Sequence, residues 1–141
     1  MITNPNTEKA KNEIKKATPP IIVKARDDKY NRTLLEYGKF DILLSPETGN
    51  RKSKLRNEDS GLNHVLAKIA TKNKIAIGID LDEISRLTPK AKAERLSKIK
   101  QNIKICRKAK TKLKILGNKK EGFYLLISLG ASTNQAKEAI A

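Results

Sequence analysis

The sequence has one cysteine, one histidine and no tryptophan, and only 4% of its residues are aromatic. Each scarcity excludes something. With Cys106 alone, no intramolecular disulfide and no thiolate-based zinc site can form. With His64 alone, a metal centre of two or three histidines cannot form. No apolar run approaches the roughly 18 residues that span a membrane. The first 18 residues are polar and lysine-rich, without the apolar core of a secretion signal. A reduced, cytoplasmic protein is the expectation, with no membrane partner. Acidic residues are also few: 15 Asp and Glu stand against 31 Lys and Arg, a formal net charge of +16 over 141 residues.

Apolar residues still make up 38% of the chain, enough for one core. So positive a body repels itself, and a polyanion relieves that repulsion. Nucleic acid is the leading candidate partner. The charge is concentrated. Between Thr88 and Lys120 thirteen basic residues accompany one acid, Glu94, which accounts for +12 of the +16. Arg51, Lys52, Lys54 and Arg56 form a smaller cluster in a polar loop. A solvated helix face kept for solubility is the competing explanation.

Hydrophobic periodicity predicts a repeating strand–helix pattern. Residues 1–18 read as a polar arm or a frayed helix, broken at Thr18-Pro19-Pro20. Ile21 to Val23 reads as a strand, with a helix from Asp27 or Asp28 to Tyr37, stopped by Gly38. Phe40 to Leu44 is the second strand. Ser60 is the expected N-cap of a helix to Lys72, with Leu62, Val65, Leu66 and Ile69 on its apolar face. Ile75 to Ile79 is apolar at nearly every position, as in a strand buried on both faces. Leu81 to Leu87 reads as a short helix. Thr88-Pro89 opens a helix to about Lys110, with Leu96, Ile99, Ile103 and Cys106 as its core stripe. Leu113 to Leu116 is a fourth strand. Gly122 to Gly130 is a short apolar helix, and Ser132 or Thr133 caps a last one. The predicted fold is α/β: a parallel sheet of about four to five strands with crossover helices. Residues 19–141 form the single domain of this reading.

Catalytic constellations are scarce. Cys106 falls in a core stripe, where a thiol behaves as a small hydrophobe. There is no phosphate-cradling glycine loop. Asp80, Asp82 and Glu83 follow the third strand and could hold Mg²⁺ through oxygen. They equally suit the start of a helix. No catalytic residue and no metal ligand is assigned to the polypeptide. His64 shares a helix face with Lys68 and Lys72, opposite Val65 and Ile69. Lys100, Lys104, Arg107 and Lys108 share a face of the long helix. No aromatic lies in the basic segment, so stacking of single-stranded bases is not expected. The expected mode is phosphate contact with a folded nucleic acid. The residues assigned to it are Arg51, Lys52, Lys54, Arg56, His64, Lys68, Lys100, Lys104, Arg107 and Lys108. No small-molecule substrate is expected.

Specific runs carry a resemblance. Phe40-Asp41-Ile42-Leu43-Leu44-Ser45-Pro46-Glu47, followed after the basic loop by Asp59-Ser60-Gly61-Leu62-Asn63-His64-Val65-Leu66-Ala67, is similar to the archaeal ribonuclease P protein component 3 family. Lys100 to Lys108 resembles a characteristic helix of that family. Ser128-Leu129-Gly130 and Gln135 to Ile140 resemble its C-terminal end. The resemblance spans roughly residues 20–140. It implies a TIM-barrel-like subunit of the ribonucleoprotein that removes 5′ leaders from precursor tRNA. It also implies an RNA that carries out the catalysis with Mg²⁺, no cofactor on the protein, and component 2 as protein partner. The alternatives are a generic basic assembly protein for RNA and a Mg²⁺-dependent phosphoesterase built on Asp80, Asp82 and Glu83.

Two departures stand out. About two further strand–helix units precede the region matching Ile21 in the family, so this sequence reads as shortened at its N-terminus. Gly117 to Gly122 replaces a longer Ser-Pro…Arg-x-Pro loop. About four strands cannot close an eight-stranded barrel, so the expected fold is an incomplete TIM-barrel-like sheet. Its open edges call for cover from the N-terminal arm, a partner or a second copy. A partner or the RNA is the favoured cover.

Overall fold

The computed structural model describes residues 1–49 and 59–141. Its elements run α1 (Thr7–Lys16), β1 (Ile22–Lys24), α2 (Asp28–Tyr37), β2 (Ile42–Leu44), α3 (His64–Lys72), β3 (Ala76–Asp80), α4 (Leu81–Ser85), α5 (Pro89–Ala109), β4 (Leu113–Leu116), α6 (Lys119–Ser128) and α7 (Thr133–Ala139). The four strands pair in parallel in the order β1-β2-β3-β4. A doubly wound sheet reverses its strand order at a switch point. This one does not, so it has the sequential order of staves in a barrel.

The register explains the core. Val23, Leu43, Ile77 and Leu113 lie side by side across the sheet, and none is more than 2% exposed. They join the buried stripes of the helices, including Leu34 of α2, Ala70 of α3, and Ile99, Ile103 and Cys106 of α5. Gly78 belongs to the other face, where Ile42 and Leu44 lie over it. A Cβ there would come within 2.6 Å of Ile42 Cγ2.

Helix ends follow local chemistry. Asp27 accepts from the Tyr30 N–H and Thr88 from the Ala91 N–H. Ser132 and Gln135 form a reciprocal capping box at α7. Gly38 ends α2 with φ 70°. α6 begins at Lys119 rather than at Gly122, because Asn118 caps it through the Glu121 N–H.

Three expectations are corrected. Ser60 does not cap α3. Asn63 does, its side chain accepting from the Leu66 N–H at 2.9 Å. The face that α3 buries carries Leu66, Ala67 and Ala70, and Val65 is left 53% exposed. The N-terminal residues are not a loose arm. Ile2 bridges Val23 in parallel, donating to Ile22 O and accepting from the Lys24 N–H. Then α1 crosses over and packs on α2, burying Ala10 and Ile14. The strand–helix repeat therefore already begins at Ile2. The chain itself covers the β1 edge, where a partner or RNA was the favoured cover.

Candidate nucleic-acid interface

The two helices that carry most of the assigned cations lie together. α3 packs against α5. A groove between them is lined by His64, Lys104, Ile105, Arg107 and Lys108. Two lines of sequence separated by about forty residues thus converge on one surface. Their spacing is set from below. Ser60 is buried; its Oγ accepts from Gln101 Nε2 at 3.0 Å, and its carbonyl accepts from Asn102 Nδ2 at 3.1 Å. The segment leading into α3 is thereby fastened to the middle of α5.

α5 is two-faced. Ile99, Ile103 and Cys106 are buried, whereas Lys100, Lys104, Arg107 and Lys108 are exposed on the far side. Burial pushes the Cys106 thiol up to about 12, so it stays protonated and is no nucleophile. Lys68 stands exposed one turn beyond His64. Lys100 is exposed on α5 but does not line the groove. Arg107 has a further task. Its Nε donates to Gln135 Oε1 at 3.1 Å, and its Nη2 donates to the Gly130 carbonyl. It ties α5 to α7 while its stem forms one side of the groove. Arg51, Lys52, Lys54 and Arg56 lie outside the described residues.

One buried polar cluster is absent from the sequence reading. Arg95 of α5 is 8% exposed. Its Nε donates to Glu47 Oε1 at 3.0 Å, its Nη1 to Glu83 Oε1 at 2.6 Å, and its Nη2 to Ser45 Oγ at 3.2 Å. These groups gather beyond the C-terminal ends of β2 and β3 and fix the first half of α5 there. The signal was present in the sequence. Arg95, Ile99, Asn102 and Cys106 follow helical spacing, which places an arginine on the core stripe. Burial raises the Glu47 carboxyl above its ordinary range, with Arg95 acting in opposition. Burial likewise lowers the nearby Lys24 ammonium, with Glu83 and Glu47 opposing.

Two of the three carboxylates weighed as a Mg²⁺ site, Asp80 and Glu83, have other partners. Asp80 Oδ1 accepts from the Glu83 N–H at 3.2 Å and caps α4. Glu83 is paired with Arg95. Among the described residues, no three His, Cys, Asp or Glu side chains stand close enough to share a metal ion. Among them, too, no helix is long and apolar enough to cross a membrane.

The class defined by these features is an α/β chain of sequentially ordered parallel staves with a basic groove between two of its outer helices. Its relatives are more particular. The chain is 29% identical over 104 residues to "Ribonuclease P protein component 3" of Methanococcus maripaludis, a match covering 74% of this chain and 42% of that protein. The protein of the same name from Methanothermobacter thermautotrophicus is 31% identical over 97 residues, 69% of this chain and 37% of its own length. That of Methanosarcina mazei is 35% identical over 88 residues, 62% of this chain and 34% of its own length. The chain is a homologue of the ribonuclease P protein component 3 family, and spans about two fifths of the length of the curated relatives it matches. No protein-family profile matches it. In fold, it superposes on a chain from the "cryo-EM structure of archaeal Ribonuclease P with mature tRNA" with a TM-score of 0.81. That match covers 99% of this chain and 62% of the other at 22% identity.

Proposed function

We propose that this chain is a protein subunit of a ribonuclease P, supporting the RNA that removes 5′ leaders from precursor tRNA. The observation that carries this reading is the convergence of His64, Lys104, Arg107 and Lys108 on one groove, in a homologue of component 3. Ammonium and guanidinium groups on a rigid helix pair suit the phosphates of a folded RNA and carry no base readout. Phosphate contact positions an RNA without reading its sequence, as a supporting subunit requires. The polypeptide holds no cofactor in this reading, and Mg²⁺ serves the RNA. Component 2 is the proposed protein partner, and the cytoplasm the proposed location.

Reconstitution tests this. The purified chain, added to its cognate RNA and the remaining subunits, should raise precursor-tRNA cleavage at low Mg²⁺. Folded protein that gives no rise overturns the proposal.

A further inference from the structure

A lysine in the left-handed region follows three of the helices. Among the described residues, four non-glycine residues have positive φ, and three of them are lysines: Lys39 (63°), Lys74 (57°) and Lys110 (60°). Lys39 follows α2, Lys74 follows α3, and Lys110 caps α5. A side chain with a Cβ is strained in this region, and glycine is the residue that usually ends helices there. Lys110 is the first residue past α5, whereas Lys39 and Lys74 come second, after Gly38 and Asn73.

The register puts them at one end of the molecule. Ile42 pairs with Ala76, and Ile77 with Leu113. Lys74 and Lys110 therefore lie at the same level, just before β3 and β4, and Lys39 stands one residue further out before β2. Lys74, Lys110 and Lys112 line a single concavity together with Thr71, and all three lysines are exposed. Its floor is held firmly. Thr71 Oγ1 and Thr111 Oγ1 lie 2.8 Å apart, Thr71 Oγ1 also donates to Ala109 O, and Thr111 Oγ1 donates to Ala67 O. Asp41, the residue before β2, has its carboxylate engaged by the Ile21 N–H, which donates to Oδ2 at 2.6 Å.

Cations near helix C-termini gain from the helix dipole. That gain does not require the strained position, since a lysine in the last turn followed by glycine obtains it without strain. Strain repeated at Lys74 and Lys110, level with each other across the sheet, points to a role for their side chains. We propose that this rim, where the strands begin, is a second phosphate-binding surface for RNA, at the C-terminal ends of α3 and α5 beyond the groove residue Lys108. It rests on the RNA-binding reading above. The two surfaces together carry the line of RNA-backbone contacts past the ends of both helices.

The test uses the full chain and an RNA duplex as probe, with affinity measured across a salt series. Lys74→Gly/Lys110→Gly/Lys112→Gln removes three charges while giving the two strained positions their easiest residue. The salt slope of log K should fall by about three, with the melting temperature unchanged or raised. Lys74→Arg/Lys110→Arg keeps the charges and should keep the slope. A rim variant that binds duplex as the wild type does overturns the proposal, including when it has lost binding to poly-glutamate, which would assign the rim to an acidic protein. Lys104→Ala/Lys108→Ala reports on the groove separately. Loss in the groove variant alone overturns the rim and keeps the groove. Loss in the rim variant alone does the reverse.

Discussion

Arg95 and Glu47 form an ion pair at 3.0 Å with their side chains only 8% and 1% exposed. Removing one member of such a pair strands the other charge in the interior. Arg95→Met should therefore cost ~3–5 kcal/mol of unfolding free energy in a urea titration. Arg95→Met/Glu47→Met should recover part of that loss, since apolar replacement of a whole buried pair is far milder.

The same carboxylate gives a pH dependence. Burial raises Glu47 above its ordinary value in the folded state, so between its unfolded and folded pKa the folded chain holds more protons. Stability from this group is present below the unfolded value and is lost as pH rises through the folded one. Urea midpoints followed upward from mildly acidic pH should fall more steeply in the wild type than in Glu47→Gln. Parallel profiles for the two proteins would refute the assignment.

Asn63 is the cap of α3, so Asn63→Ala should cost about 1 kcal/mol. Asn63→Ser should retain most of it. Because α3 presents His64 from its first turn, fraying in the alanine variant should also weaken RNA binding at the groove. The serine variant serves as the control.

Gly122 sits against β4. A Cβ there would come within 2.5 Å of Ile115 Cγ2. Gly122→Ala should destabilise the chain by ~1–3 kcal/mol through overpacking. Ile115→Ala, which removes the Cγ1 and Cγ2 atoms that crowd the new methyl group, should cost less in the Gly122→Ala chain than in the wild type, a difference that thermal melts can resolve.

In the groove, Lys104→Ala/Lys108→Ala should lower the salt slope of binding to structured RNA by about two. The change should be similar across RNA sequences, because phosphates carry no sequence information. A sequence-dependent loss would indicate base contacts instead.

The sheet was legible because parallel strands are written as short apolar runs. Ile75 to Ile79 and Leu113 to Leu116 needed little beyond hydropathy. The α5 stripe and its basic face were equally plain at helical spacing. What escaped depended on tertiary context. α1 offers only Ala10 and Ile14 to the core, too few to distinguish a packed helix from a polar arm. Ser60 and Asn63 are both good caps by type, and only the hydrogen bonds show that Ser60 holds α5 while Asn63 starts α3. The groove required knowledge of which helices are neighbours. The rim required backbone angles, which lysine gives no hint of adopting. Arg95 was visible as an arginine among core positions, but its two carboxylate partners come from distant segments.

The strand order has a consequence for how the chain folds. Each strand lies beside the one that precedes it in sequence, so every pairing closes over a single crossover. Each closure spans one strand–helix unit, and no strand waits for a more distant segment before it can pair. Chain closure of this kind keeps contact order low for a parallel sheet and limits the time that unpaired edges spend exposed. Assembly can spread outward from any adjacent pair, unit by unit, as it does along a solenoid.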